Sequence, residues 1–402
     1  MTPLSLMFLA GETSGDTLAA ELATALHPRL LDWQDAATNA TQPLHTALAP
    51  RCFGAGRERM REAGIELVTD MTAFGVVGFS DVLKRFLALR KVFHQLLKTA
   101  CERQPAAIVG VDYGGFNLRF AAAIHRRTRA LNGPFNNWRP RLIQFVSPQV
   151  WASRPGRATR MEQTHDLLLS IFPFERAWYA RHAPRLRVEF VGHPIFDRHS
   201  ASGIRHRPPA PEILLLPGSR VGELKRHLPV LFAAVQQLRA RLPDLRVRMV
   251  LPSEALRQLA QSLGPPPGVE TQLGGLADAL RQATVAIAST GTVTVECAYF
   301  GVPTVTLYKT SRSTYEIGRR LVNVTSLTMP NLLAGETIYP EFIQDAATPD
   351  ALAAATFDLL TNEHRCDEIQ AKLRRIVATL GGPGASGRAA DAVVRLLQQP
   401  PR

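Results

Sequence analysis

Glu12, Thr13, Ser14 and Asp16 lie within one Gly-bounded stretch, Gly11 to Asp16, that directly follows the apolar run Leu4–Leu9. Two carboxylates and two hydroxyls on a strand-to-helix turn suit a sugar or a hydroxyl nucleophile better than a pyrophosphate, which carboxylates repel. The glycine spacing is neither GxGxxG nor GxxxxGK[ST], so the usual dinucleotide and P-loop readings fail. Asp112 closes a second apolar run, Ala107–Val111. An acid at the carboxyl end of a buried strand is only partly solvated, which suits a general base; the same residue would also cap the turn that follows. Glu12 is the competing base, with Asp16 fixing its turn. Ser147 and Gln149 add polar groups after the run Leu142–Val146, and His193 before Pro194 reads as a hinge residue.

The second half of the chain carries a different chemistry. Gly218, Ser219 and Arg220 follow the apolar run Ile213–Leu216, with Glu223 three residues on; an Arg fork matches phosphate oxygens. Thr290, Gly291 and Thr292 follow Val285–Ala288 and open a helix, a place where hydroxyls and free N–H groups attract anions. Glu296, about one turn into that helix, could reach a ribose hydroxyl pair. Asn331, in the Pro- and Gly-bounded stretch Met329–Gly335, can both donate and accept. Any one of these is ordinary capping or turn chemistry. Together they imply a diphosphate held at strand ends in a C-terminal domain, facing a cleft.

The elements that must position these residues are read from periodicity. Strand-like runs at Leu4–Leu9, Ala107–Val111, Leu142–Val146, Leu167–Ile171 and Val188–Val191 alternate with helical patterns, among them Thr17–Leu26 and Asp81–Arg103. The same alternation recurs at Ile213–Leu216, Arg246–Val250, Val285–Ala288 and Thr304–Leu307. It predicts parallel sheets and two βαβ-built, Rossmann-like domains. The boundaries expected are 1–196 for the first domain, a Pro-containing linker at 197–211, 212–364 for the second, and C-terminal helices over 365–402 that pack back on the first domain. A chain of 402 residues is too long for one ordinary core, which agrees.

Composition narrows the class. With 46% hydrophobic and 20% charged residues, the chain is of the globular type, and no apolar run is long enough to span a bilayer. The N-terminal apolar stretch has no cationic flank and runs into the Gly11 turn, so it reads as a strand and not a signal peptide. Four scattered cysteines with no CxxC imply neither zinc nor a disulfide framework, and a reducing cytosol is the default. A net charge of +13 points to an anionic partner or, in part, to the compositional bias of an Arg-rich proteome, but aromatics are only 7% and no helix-turn-helix, zinc-finger or RNA-binding pattern is present. Nucleic acid is therefore set aside in favour of an anionic membrane surface or a phosphorylated substrate.

GETSGD at 11–16, GVDYGGFNLR at 110–119, VSPQVW at 146–151, FPFE at 172–175, VGHP at 191–194, LPGSR at 216–220, GTVTVE at 291–296 and PNLLAG at 330–335 occur in one order across nearly the whole chain. In this combination the sequence resembles the lipid-A-disaccharide synthases, glycosyltransferases of the two-Rossmann-domain GT-B type. The resemblance implies inverting, metal-independent and cofactor-free transfer of 2,3-diacylglucosamine from UDP to 2,3-diacylglucosamine 1-phosphate (lipid X), giving the β-1,6 disaccharide of lipid A and UDP. It implies work at the cytoplasmic face of the inner membrane as a peripheral protein, and it leaves a homodimer open. On that reading Gly218, Ser219, Arg220, Glu223, Thr290, Gly291, Thr292, Glu296 and Asn331 hold UDP. Asp112 or Glu12 is the base, and Thr13, Ser14, Asp16, Ser147 and Gln149 line the acceptor side. The alternatives are another UDP-sugar transferase or epimerase of the same build, and a non-catalytic membrane-surface binder on that scaffold. The chain departs from many relatives in Gly114-Gly115 and in Ser153 after Trp151-Ala152.

One apolar segment remains. Phe74, Val76, Val77 and Phe79 are Gly-broken and too irregular for an ordinary strand, and a helical pattern follows with Phe86 among Lys84, Arg85, Arg90 and Lys91. Basic side chains beside an apolar patch suit interfacial binding to anionic lipid, so this region is expected to hold acyl chains and dock on the bilayer.

Overall fold

A computed structural model describes residues 4–37, 50–71, 82–131, 133, 136–199 and 211–400. By contacts the chain forms two units, Met1–Asp197 with Gly381–Arg402, and Arg198–Leu380. Each is built on one parallel sheet.

In the first unit the strands are β1 (Ser5–Ala10), β2 (Arg51–Gly56), β3 (Glu66–Asp70), β4 (Ala107–Val111), β5 (Arg141–Phe145), β6 (Leu167–Ser170) and β7 (Val188–Phe190). Their order across the sheet is β3-β2-β1-β4-β5-β6-β7. In the second, β8 (Glu212–Leu216), β9 (Arg246–Leu251), β10 (Val269–Leu273), β11 (Val285–Ser289), β12 (Thr304–Tyr308) and β13 (Glu341–Ile343) lie in the order β10-β9-β8-β11-β12-β13. Both sheets are doubly wound in the Rossmann sense, with the order reversing beside the first strand, at β1/β4 and at β8/β11. Ligands of such sheets bind outside the carboxyl ends of the strands at that reversal.

The central strands β4, β5, β8 and β11 are buried along their whole length, as largely apolar runs covered on both faces are, with Arg141, Gln144, Glu212 and Ser289 as buried polar exceptions. Helix Gly114–Leu131 closes one face of the first sheet with Phe120 and Ile124, both fully buried and each contributing about 1.5–3 kcal/mol. The strands absent from the periodicity are β2, β3, β10 and β13. Gly54 and Gly56 break the apolar pattern of β2, β3 and β10 are partly exposed edge strands with charged or polar residues, and β13 has only three residues.

The first helix also begins earlier than its apolar period indicates. It runs Thr13–Ala37, so Thr13, Ser14 and Asp16 occupy its first turn and not a loop before it. Helix Glu363–Thr379 belongs to the second unit; the chain rejoins the first at Gly381. Helix Ala385–Leu397 is fastened there by Asp197, whose Oδ1 accepts from the amides of Gly384 and Ala385 (2.6 and 3.2 Å) and whose Oδ2 accepts from Ser386 N (2.8 Å). Burial works against the Asp197 charge, yet these amides hold its carboxyl below the usual range.

Candidate active-site residues at the two sheet reversals

In the first unit Ala10 pairs with Val111, so the turns after β1 and β4 leave the sheet side by side. This brings Ser14 to Asp112: Ser14 Oγ donates to Asp112 Oδ2 at 3.3 Å. Close approach depends on glycine. A Cβ at Gly11 would enter the Tyr113 ring, and one at Gly15 would press on Val111 O at 3.2 Å. Glu12, Thr13 and Ser14 are exposed, whereas Asp16 is buried, its Oδ1 accepting from Arg57 N (2.6 Å) and its Oδ2 from Arg59 N (3.0 Å). Asp16 thus ties the helix start to the end of β2.

Asp112 is held in an unusual backbone. Asp112, Tyr113 and Val146 have φ of 51°, 41° and 66°. Such conformations cost of order 1–3 kcal/mol each and persist only where the surroundings over-determine them, most strongly for a β-branched residue such as Val146. Two buried amides do so here. Asn117 Nδ2 donates to Asp112 O (2.9 Å), with Leu9 O and Val111 O within reach at 3.3 and 3.4 Å. Gln144 Nε2 points at Asp112 O (3.0 Å), Val146 O (3.1 Å) and Phe145 O (3.3 Å). Asp112 N in turn donates to Phe145 O at 2.9 Å. Sequence reasoning missed both amides. The available signal was a single polar residue interrupting an apolar strand, Leu142-Ile143-Gln144-Phe145, and an Asn on the inward face of the next helix.

Ser147, expected on the acceptor side, is buried with its hydroxyl 3.0 Å from Tyr179 Oη, while Gln149 is exposed. Beside Tyr179 and Trp151 lies Glu175, a buried carboxylate that periodicity did not single out. Its Oε1 accepts from Trp151 Nε1 (3.0 Å) and its Oε2 from Ser170 Oγ (2.6 Å). Burial pushes its carboxyl up to about 7, against the pull of those donors. The unfolded carboxyl ionises near 4.5 and the folded one near 7, so the folded state holds an extra proton between them and stability falls as pH rises through that window. Glu175→Gln, which cannot ionise, should be more stable than wild type by an amount that opens from pH 4.5 to about 3 kcal/mol at pH 7. Urea unfolding at a series of pH values measures it; a difference that does not change with pH would contradict the assignment.

In the second unit Leu216 pairs with Ala288, so the turns after β8 and β11 also emerge together. Gly218 has φ 120°, and a Cβ there would collide with the Glu223 carboxylate, whose Oε2 accepts from Ser219 N at 3.1 Å. Arg220 is exposed and lies 3.5 Å from Glu223 Oε1. The turn is backed by His227, a buried residue the periodicity did not single out. Its Nδ1 meets Pro217 O at 2.7 Å and its Nε2 accepts from Lys309 N at 3.0 Å, which fixes the Nδ1–H tautomer and joins the ends of β8 and β12. Burial keeps its pKa below the ordinary value.

After β11, Thr290 is half-buried and Gly291 and Thr292 are exposed. Among the described residues the amides of Gly291, Thr292 and Val293 make no backbone hydrogen bond. Helix Val293–Tyr299 has seven residues, and Glu296 lies within it, its carboxyl raised by burial against an opposing pull from Arg198. Asn331 is placed differently from expectation. It is buried in helix Met329–Ala334; its Nδ2 donates to Tyr339 O and Glu341 Oε1, and its Oδ1 accepts from Ile338 N and Tyr339 N, each at 2.8 Å. Its hydrogen-bonding capacity is spent inside the domain. Phe74, Val76, Val77 and Phe79 lie outside the described residues, and Phe86 falls on helix Val82–Arg103.

Two doubly wound parallel sheets, one with a carboxylate–hydroxyl pair at its reversal and the other with an Arg turn beside amides free of backbone bonds, have the build of the GT-B class. The sequence matches the profile described as lipid-A-disaccharide synthetase over residues 6–394. It is 33% identical to the lipid-A-disaccharide synthase of Alkalilimnicola ehrlichii over 96% of this chain and 97% of that one. It is 32% identical to that of Geobacter sulfurreducens, with 98% and 97% covered. The chain belongs to the lipid-A-disaccharide synthase family. Among solved structures, the UDP-GlcNAc 2-epimerase of Neisseria meningitidis bound to UDP-GlcNAc superposes with a TM-score of 0.60 at 10% identity, covering 98% of this chain and 100% of that one. The glycotransferase of kitacinnamycin gives 0.59 at 20%, covering 99% and 100%. At such identities these two establish the fold alone.

Proposed function

We infer that the protein is a lipid-A-disaccharide synthase: it transfers 2,3-diacylglucosamine from UDP to the 6-hydroxyl of 2,3-diacylglucosamine 1-phosphate, with inversion, releasing UDP. Full-length membership of the family carries this reading. Asp112 takes the proton from the acceptor hydroxyl as it attacks the anomeric carbon, and Ser14 orients the carboxylate. Glu12, exposed immediately before the helix that carries Ser14, is the competing base. A diphosphate leaving group needs its charge stabilised, which the Gly218–Arg220 turn and the amides of Gly291 and Thr292 can do. Glu296 accepts from the ribose hydroxyls. The epimerase alternative is separated by one assay: UDP release should require the lipid monosaccharide phosphate, and release or isomerisation with the donor alone would favour that alternative.

Arg220→Ala should weaken UDP binding by about 1.5–3 kcal/mol, the loss of a charge-assisted contact. Unchanged calorimetric affinity in both Arg220→Ala and Glu296→Ala would remove UDP from this turn.

Among the described residues no helix is long and apolar enough to cross a membrane. We assign membrane docking and acyl-chain binding to the sequence from Phe74 to Phe86, on its apolar and basic composition, at the inner leaflet that the family's substrates occupy. Flotation with anionic vesicles should weaken in high salt and when Val77 and Phe79 become Ser. Equal flotation of wild type and the double variant would return the segment to the interior. A homodimer fits the family and is read by sedimentation.

A further inference from the structure

The first unit contains a cavity of about 1010 Å³ whose wall begins at Gly114 and Gly115, two and three residues beyond Asp112, and follows helix Gly114–Leu131 as far as Arg129. Six arginines line it: Arg119, Arg126, Arg129, Arg157, Arg160 and Arg185. The one lining carboxylate, Glu162, is already engaged, its Oε1 accepting from Arg185 N (2.7 Å) and its Oε2 from Arg185 Nη2 (3.2 Å). Among the described residues the other five form no ion pair. Their mutual repulsion is visible in Arg157, whose guanidinium is held below its ordinary value by burial first and then by Arg154, Arg119 and Arg160. His125, also in the wall, is lowered by burial and then by Arg129, with Asp166 pulling the other way. Six like charges gathered around one space against a single, already engaged carboxylate favour an anion that enters it. Nothing in the acid–base pair or in the diphosphate turn uses them.

Position along the helix selects which arginines act together. Arg119 is five residues from Gly114, roughly 8 Å along the axis, whereas Arg126 and Arg129 are roughly 18–22 Å away. An acceptor with its 6-hydroxyl at Asp112 carries its anomeric phosphate across a single hexose ring, which matches the nearer group. A planar guanidinium fork is suited to a phosphate monoester.

We propose that Arg119 and Arg157, with Arg160 beside them, form the subsite for the anomeric phosphate of the acceptor, and so make the enzyme select a phosphorylated over a neutral lipid sugar. This rests on the transferase reading above and on Asp112 as the end that receives the hydroxyl.

The test uses the full chain in mixed detergent micelles, with UDP-2,3-diacylglucosamine as donor and two acceptors, 2,3-diacylglucosamine 1-phosphate and the same lipid without phosphate. Arg119→Gln and Arg157→Gln should each raise the KM for the phosphorylated acceptor about tenfold or more, as expected for a lost charge-assisted contact, with kcat and donor KM little changed. With the dephosphorylated acceptor wild type should already be poor and the substitutions should cost nothing further, the non-additivity that marks one shared contact. Arg126→Gln should leave the phosphorylated acceptor's KM unchanged. Unchanged UDP affinity and unfolding midpoint exclude a folding defect. Equal losses on both acceptors would overturn the proposal. So would an unaltered KM in micelles together with lost binding to anionic vesicles, which would make the cavity a membrane-headgroup site. If wild type forms no disaccharide, the transferase reading fails by itself. Equilibrium binding of the lipid phosphate in micelles then decides the subsite: binding lost in Arg119→Gln supports it, and binding unchanged contradicts it.

Discussion

Asp112→Asn should lower turnover by about 10²–10⁴ while UDP affinity and stability stay near wild type, the usual range for loss of general-base help. The substitution isolates the proton. Asn has nearly the shape of Asp, keeps an oxygen for Ser14 Oγ to donate to, and tolerates a φ of 51° about as well. Asp112→Ala would add backbone strain to the lost carboxylate and blur the result. Glu12→Gln is the companion variant. Glu12 is exposed just before helix Thr13–Ala37, a position better suited to hydrogen-bonding a sugar than to a desolvated base. If Asp112→Asn keeps near-normal turnover while Glu12→Gln abolishes it, the two roles are exchanged.

Asn331→Ala should destabilise the protein by about 3–5 kcal/mol, because it strips partners from buried amides of Ile338 and Tyr339, a buried carbonyl and the Glu341 carboxylate at once. UDP affinity of the protein that remains folded should be close to wild type. Denaturant unfolding beside calorimetry separates the two roles: full stability with lost UDP binding would return Asn331 to the ligand.

The fold was legible because its central strands are short, predominantly apolar runs. Ala107–Val111 needs no correction, and the other eight runs read from the sequence differ from the observed strands by a residue at one or both ends. The strands that were not legible are the edges β3, β10 and β13 and β2 next to one of them, which lack the apolar density that burial on both faces imposes. At the site, the strand-end positions of Asp112, Gly218 and Gly291 could be read from what precedes them. What holds those turns could not. Asn117, Gln144 and His227 reach backbone groups as far as 108, 32 and 82 positions away, and no local spacing encodes such bonds. Ser147, Asp16 and Asn331 show the reverse: a polar residue beside a functional turn whose side chain faces inward, to Tyr179, to Arg57 and Arg59, and to Tyr339 and Glu341.

The most direct measurement is the product itself. Purified protein incubated with UDP-2,3-diacylglucosamine and 2,3-diacylglucosamine 1-phosphate should yield a tetraacyl disaccharide 1-phosphate by mass spectrometry, with one UDP released per disaccharide and a β-1,6 linkage by NMR. Donor consumption without that disaccharide, or a product joined elsewhere than at the 6-hydroxyl, would contradict the account.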